Sequence, residues 1–165
     1  MPAGHGKWVL FDGDNTLWKT EPLYDIARDN FCHYVIDLSS ELHENNFSYL
    51  DKDLIEKCQR HRDLQLHKTH GYSFSRFARS FEDTLLFFLA SATPEHLRHA
   101  RFLAMAALDA VAEPFDGVNL IIDELISDSF NLAVITAGER WVQQKRLNDF
   151  SMLHKFRHYE VVEPL

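Results

Sequence analysis

Two aspartates separated by a single glycine follow a short apolar run near the start of the chain. The run, residues 7–11, is directly followed by Asp12, Gly13 and Asp14, which predicts a buried strand that ends in a turn. A turn at Gly13 can bring both carboxylates toward one pocket, with backbone N–H groups between them. One carboxylate could then attack phosphorus and form an aspartyl-phosphate. The other could protonate the leaving oxygen and later deprotonate a water molecule. We therefore expect phosphoryl-transfer chemistry at this turn.

The same two carboxylates are candidate metal ligands. Two negative charges beside a phosphate repel it, so this chemistry requires a cation, and hard oxygen ligands favour Mg²⁺. The sequence therefore predicts a Mg²⁺ site at Asp12 and Asp14.

A second strand end carries groups that could bind an anion. The apolar run of residues 132–135 is followed by Thr136, Ala137 and Gly138, and then by a predicted helix. A hydroxyl group and backbone N–H groups just before a helix form a ready site for a phosphate. We expect these three residues, together with Gly13, to bind the phosphate of a substrate.

The order of the predicted elements places both strand ends at one edge of a sheet. Apolar residues at steps of three and four predict four helices and no strand within residues 20–112. The rest of the chain alternates strand and helix, which implies an α/β fold with a Rossmann-like parallel sheet of three strands. The predicted domains are a discontinuous core, residues 1–19 and 113–165, and a helical insertion between them. Loops after parallel strands meet at the carboxyl edge of a sheet, where ligands bind.

Composition excludes several classes of protein. The chain has 165 residues, a formal net charge of −8 and 45% hydrophobic residues, which fits one small domain with an insertion and excludes wholesale disorder. The acidity disfavours nucleic-acid binding, and no apolar stretch approaches the roughly 20 residues of a membrane span. The first six residues lack the layout of a signal peptide. Because Cys32 and Cys58 do not make a disulfide framework, we expect a cytoplasmic protein with neither a nucleic-acid nor a membrane partner.

Three segments resemble motifs of the haloacid dehalogenase-like (HAD) hydrolase superfamily. Residues 11–17, Phe-Asp-Gly-Asp-Asn-Thr-Leu, resemble its motif I, D-x-D-x-T-[LV] after an apolar strand. Residues 132–138 resemble motif II, an apolar strand that ends in threonine. Residues 114–118 resemble the hinge that precedes motif II in members with a helical cap between the two motifs. The resemblance covers the whole chain and implies that residues 20–112 form a cap that closes over the substrate.

The resemblance also implies residue roles. Asp12 would be the nucleophile and Asp14 the general acid/base, with Mg²⁺ bound by the Asp12 carboxylate and the Asp14 backbone carbonyl. Thr136 would hold the transferring phosphate through its hydroxyl group. The dehalogenases of the family lack an aspartate at the position of Asp14. The resemblance therefore favours a Mg²⁺-dependent phosphatase acting on a small phosphorylated metabolite over a dehalogenase.

Two elements of the family pattern are not found in this sequence. A motif III lysine should follow the third strand and a motif IV acidic pair should follow a fourth, but only Pro164 and Leu165 come after Glu163. We therefore expect a truncated product, and the alternative function is a non-catalytic remnant that binds phosphate or a partner. In the family the missing strands lie beside the first strand. Residues 7–11 should then form an exposed apolar edge that pairs with a second copy of the chain, giving a homo-oligomer.

Simpler interpretations of the same residues also exist. The two aspartates could form a solvated acidic turn, and Thr136 could cap the helix that follows it. The histidine pairs at i,i+3 spacing lack an obvious third ligand, which favours a surface location over a zinc site; they are His67 with His70 and His96 with His99.

Overall fold

Residues 6–42, 50–71 and 73–163 are described by the computed structural model, and they divide into two units. One unit contains the residues up to Glu21 and from Val111 onward, and the other is Pro22–Ala110. The domain boundaries expected from the sequence, 19/20 and 112/113, lie two residues from these divisions. The remaining parts of the expected domains, residues 1–5, 43–49, 72, 164 and 165, lie outside the described residues.

A three-stranded parallel sheet forms the centre of the first unit. Its strands lie in the order β1, β4, β5, with Phe11 opposite Val134 and Thr136 opposite Val161. Strands β2 and β3 form a separate antiparallel pair. The predicted α/β class with a Rossmann-like parallel sheet is confirmed. In chain order, the elements are β1 (Trp8–Phe11), β2 (Trp18–Lys19), α1 (Glu21–Glu41), α2 (Lys52–His70), α3 (Phe74–Phe88), α4 (Pro94–Asp109), β3 (Glu113–Pro114), α5 (Val118–Ser127), β4 (Asn131–Ala137), α6 (Arg140–Asp149) and β5 (His158–Val162).

The apolar core of this unit lies on one face of the sheet. Helices α5 and α6 both contribute buried side chains to that face, because Ile122 and Leu147 belong to the same cluster as the alternate residues of β4. A strand places successive side chains on opposite faces, so Leu132 and Val134 face this cluster, whereas Ile135 on the other face is 36% exposed. The buried members of this cluster are Leu17, Trp18, Val118, Ile122, Leu132, Val134, Leu147, Phe150, Met152, Phe156 and Val161.

Strand β1 lies at an edge of the sheet and is only half covered. The strand itself is confirmed, but the expectation that it is buried is wrong for Trp8 and Leu10, which are 51% and 61% exposed. These two side chains point away from the face to which α5 and α6 contribute. The exposed apolar edge agrees with the second expectation for this segment, whereas pairing with another copy stays a prediction.

Four helices, α1 to α4, form the second unit around an aromatic core. Phe31 and Phe81 are fully buried with ring centroids 4.5 Å apart, and Phe77 lies 4.8 Å from Phe81. Phe77 and Phe81 of α3 therefore belong to the core of this unit. Thr93 caps the start of helix α4, since its hydroxyl accepts a hydrogen bond from the His96 N–H at 3.4 Å. Within the described ranges, no helix combines the length and apolarity needed to cross a membrane.

Candidate active site

The residues after β1 form a tight turn organised by one backbone carbonyl. The Gly13 carbonyl accepts hydrogen bonds from the N–H groups of Leu17 at 2.9 Å, Thr16 at 3.2 Å and Trp18 at 3.4 Å. The chain therefore reverses directly after Phe11, and Asp12 and Asp14 are held in the turn rather than in the strand.

The Asn15 side chain ties this turn to residues 20 and 21, which end the N-terminal segment of the first unit. Its Oδ1 accepts hydrogen bonds from the N–H groups of Thr20 at 2.9 Å and Glu21 at 3.1 Å. Asn15 has a φ of 56°, in the left-handed region that asparagine tolerates better than most residues. The side chain thus satisfies donors at the helix start and fixes the far end of the turn.

The turn after β1 lies against the end of β4. Gly13 is buried, and a Cβ at this position would lie 2.5 Å from Trp18 Cζ2 and 2.9 Å from Thr136 Oγ1. Such distances are not sterically possible without movement, so only glycine allows this approach. The structure thus brings together the two strand ends that the sequence analysis singled out.

Asp12 is the exposed carboxylate of the pair. Its Oδ2 accepts a hydrogen bond from the Thr16 hydroxyl at 3.2 Å, and the residue is open to solvent. A reactant could therefore approach Asp12 without displacing any core side chain.

Asp14 lies deeper and contacts three donor groups. Its Oδ1 accepts a hydrogen bond from the Trp18 indole N–H at 2.8 Å, and its Oδ2 accepts one from the Gln143 amide at 3.1 Å. Oδ2 also forms an ion pair with Arg146, whose side chain is 2% exposed against 27% for that of Asp14. These contacts fix the direction of the carboxylate.

Thr136 is buried and hydrogen-bonded in this arrangement. It is 1% exposed, and its hydroxyl donates to Gln143 Oε1 at 3.0 Å. A phosphate oxygen could accept that proton only if the hydroxyl group rotated away from Gln143. Phosphate binding by Thr136 therefore stays a prediction.

The N–H groups of the two residues after Thr136 point toward different neighbours of β4, one toward β5 and one toward β1. The Gly138 N–H donates to the Val162 carbonyl at 3.0 Å, so it could bind a phosphate oxygen only by giving up this pairing with β5, and phosphate binding by Gly138 stays a prediction. The Asn131 N–H donates toward β1, to the Lys7 carbonyl at 2.8 Å. Because N–H groups alternate sides along a strand, the N–H of Ala137 lies on the β1 side, where the Asp12 turn begins.

Gln143 and Arg146 were not predicted as site residues, although they make the longest-range contacts of the site. They lie three residues apart on α6, next to Val142 and Leu147, and all four are buried. Polar residues at i,i+3 spacing among buried apolar ones were the available signal. Trp18 is a further site residue that was not predicted, since its indole N–H donates a hydrogen bond to Asp14.

The two carboxylates of the turn are not equally available to bind a cation. The side chain of Asp14 already contacts the Arg146 guanidinium, which leaves the Asp12 carboxylate and the Asp14 backbone carbonyl as oxygen donors. In the part of the chain that is described, no group of three or more His, Cys, Asp or Glu side chains could hold a metal. Mg²⁺ commonly takes one or two protein oxygens and completes its shell with water and substrate phosphate, so the two donors fit that ion.

No protein-family model and no curated protein sequence matches the chain, but solved structures do. A haloacid dehalogenase-like family hydrolase from Xanthomonas campestris has a TM-score of 0.70 and 22% identity, over 94% of this chain and 62% of that chain. A predicted phosphoglycolate phosphatase from Haemophilus somnus has a TM-score of 0.54 and 14% identity, over 98% of this chain and 64% of that chain. A HAD-hydrolase from Bacillus subtilis bound to magnesium has a TM-score of 0.56 and 16% identity, over 94% of this chain and 63% of that chain.

The chain thus spans less than two thirds of the length of these similar proteins. Dehalogenases also share the fold, with TM-scores of 0.51 and 0.52. The chain therefore has the fold of the haloacid dehalogenase-like hydrolases.

Proposed function

We propose that this chain is a cytoplasmic, Mg²⁺-dependent phosphatase that hydrolyses a small phosphorylated metabolite through an aspartyl-phosphate on Asp12. The observation that carries the proposal is the close packing of Gly13 against the Thr136 hydroxyl. This packing puts an exposed carboxylate, a second carboxylate and the end of β4 at one edge of the sheet. The fold similarity to a predicted phosphoglycolate phosphatase supports the same reaction class.

The proposed reaction has two displacement steps at phosphorus. In the first, an oxygen of the exposed Asp12 carboxylate forms a bond to phosphorus while the ester oxygen leaves and takes a proton from Asp14. In the second, Asp14 takes a proton from water, the water oxygen bonds to phosphorus, and the bond to Asp12 breaks. Inorganic phosphate and the alcohol are the products, and both carboxyl groups return to their starting state.

The cation would be held by the Asp12 carboxylate and the Asp14 backbone carbonyl. When bound, Mg²⁺ would offset the repulsion between Asp12 and the negatively charged phosphate. The Thr136 hydroxyl and the Ala137 N–H would hold the phosphate oxygens on the β1 side of β4. These roles follow from the resemblance to the family motifs and from the positions of the groups at the sheet edge.

A phosphate-binding or partner-binding protein without catalysis is the second candidate. The observation that favours it is that the Asp14 carboxylate and the Thr136 hydroxyl are already hydrogen-bonded to Gln143. A general acid must exchange protons with a reactant, and a carboxylate whose two oxygens both accept bonds from protein donors is less free to do so. A dehalogenase remains disfavoured by the aspartate at position 14.

Phosphate release from an aryl phosphate tests the proposal. We expect turnover that requires millimolar Mg²⁺ and that falls by three orders of magnitude or more in Asp12→Asn, about the loss seen when a nucleophile is removed. Asp116→Asn, a change at an exposed aspartate of the same unit, is the matched control and should keep the activity. Phosphate binding without release would support the second candidate. Halide release from a 2-haloacid would contradict both.

A further inference from the structure

Three donor groups surround the Asp14 carboxylate, and two of them come from a single helix. Trp18 belongs to the turn itself, whereas Gln143 and Arg146 lie one helical turn apart on α6. We call Trp18, Gln143 and Arg146 the Asp14 clamp. The clamp connects residues that are 129 and 132 positions apart in the chain.

The clamp contains a charged group that is almost completely buried. The Arg146 side chain is 2% exposed and Gln143 is 3% exposed. Removing a guanidinium from water is costly, and replacing a buried ion pair with apolar residues is often neutral or stabilising. A buried arginine can fix the direction of a carboxylate, which an apolar residue of similar size cannot do.

The Gln143 amide has one orientation that suits both of its neighbours. Its Oε1 accepts the Thr136 hydroxyl proton at 3.0 Å, and its Nε2 donates to Asp14 at 3.1 Å. The reverse orientation would place Oε1 against the carboxylate, where two acceptors repel. The amide thus links Thr136 at the end of β4 to Asp14 in the turn after β1.

The backbone also makes room for the clamp. Gly138 has a φ of +144°, and a Cβ on it would lie 2.9 Å from Gln143 Nε2. A side chain at position 138 would push the amide away from Asp14. The lack of a side chain at Gly138 therefore allows the close approach of Gln143 to Asp14.

We propose that Gln143 and Arg146 are positioning residues that hold the Asp14 carboxylate in place against the strand-end turn. They act through Asp14 and do not contact the reactants. The consequence for catalysis rests on the proposed function, whereas the clamp itself is independent of it.

The Trp18 indole N–H reports on the clamp without any need for activity. The chain has three tryptophans, and Trp18→Phe identifies the Trp18 signal in a proton–nitrogen correlation spectrum. We expect Arg146→Met and Gln143→Leu to shift this signal, because each removes one of the donors that hold the carboxylate accepting the indole proton. Lys145→Met, on the same helix and paired with Asp149 instead, is the matched control and should leave the signal in place.

Steady-state kinetics with an aryl phosphate and Mg²⁺ give the second measurement. We expect Arg146→Met to lower kcat by about 100-fold, as small misplacements of catalytic groups do, and to leave KM within about two-fold. Arg146→Lys keeps a cation at this position and disturbs the fold less than Arg146→Met. Its kcat should therefore lie between those of Arg146→Met and the wild type.

The outcomes separate the clamp from the proposed function. A shifted Trp18 signal in a chain with no Asp12-dependent turnover supports the clamp and contradicts the phosphatase. An unshifted signal in both Arg146→Met and Gln143→Leu overturns the clamp whatever the activity. If Lys145→Met lowers kcat as much as Arg146→Met does, the clamp is also overturned. The loss of kcat would then come from a general disturbance of α6 and not from the contact with Asp14.

Discussion

Gly13 has two close neighbours that leave no space for a side chain. The Trp18 ring and the Thr136 hydroxyl would lie 2.5 and 2.9 Å from an added Cβ, and Trp18 is itself 1% exposed. A buried indole cannot move aside without disturbing the apolar cluster under the sheet. The glycine between the two aspartates is therefore required by packing as well as by the turn.

Gly13→Ala should lower the free energy of unfolding by about 1–3 kcal/mol through overpacking. Gly117→Ala is the control, because Gly117 has a φ of +83° and nothing within 4 Å of an added Cβ. Its cost is backbone strain alone, about 1 kcal/mol. Urea unfolding measures both, and the Trp18 indole signal should move only in Gly13→Ala. A Gly13→Ala protein as stable as the wild type would contradict the packing.

At the residue scale, the sequence predicted the strand ends but not the groups that hold them. Asp12, Asp14 and Thr136 follow apolar runs, and parallel strands bring such positions to one edge. Gln143 and Arg146 could not be assigned, because a polar residue on a helix normally faces solvent. Only the rotation of α6 in the folded unit turns them inward, and long-range packing sets that rotation.

The start of helix α4 in the second unit carries a clear local signal. Thr93 caps the helix and Pro94 is its first residue, and a cap and a proline act within one turn. The buried face of α3 was predictable for the same reason, since its apolar spacing matches the helical period. The burial of β1 was not predictable from its sequence, because it depends on which strands and helices lie beside the strand.

Phe81→Ala should destabilise the helical unit by about 3–5 kcal/mol, because Phe81 is fully buried and its removal leaves a cavity among aromatic rings. Phe102→Ala deletes the same atoms from a residue that is 66% exposed, and should cost less than about 1 kcal/mol. Chemical denaturation followed by circular dichroism measures both changes. Equal losses in the two variants would contradict the aromatic core.

At the scale of the whole molecule, the sheet has an edge that is open to pairing. Strand β1 has β4 on one side, and within the described residues no strand lies on the other. Trp8 and Leu10 are exposed on it. Open apolar edges pair with other chains unless a charge or proline prevents it.

The prediction of a homo-oligomer through this edge is tested by sedimentation velocity. The wild-type chain should associate as its concentration rises, and Leu10→Lys should reduce that association by placing a charge on the edge. Leu120→Lys changes a leucine that is 70% exposed on α5 and should associate as the wild type does. A wild-type chain that sediments as a monomer at every concentration would refute the prediction.

The central claim, that Asp12 forms a covalent aspartyl-phosphate, is tested most directly by trapping the phosphoryl group. The chain would be incubated with Mg²⁺ and a reactive phosphate donor, quenched in acid, digested with trypsin and examined by mass spectrometry. We predict one phosphoryl group on the peptide of residues 8–19, assigned to Asp12 by its fragments and absent from Asp12→Asn. A phosphoryl group at any other residue, or none while phosphate release continues, would contradict the account.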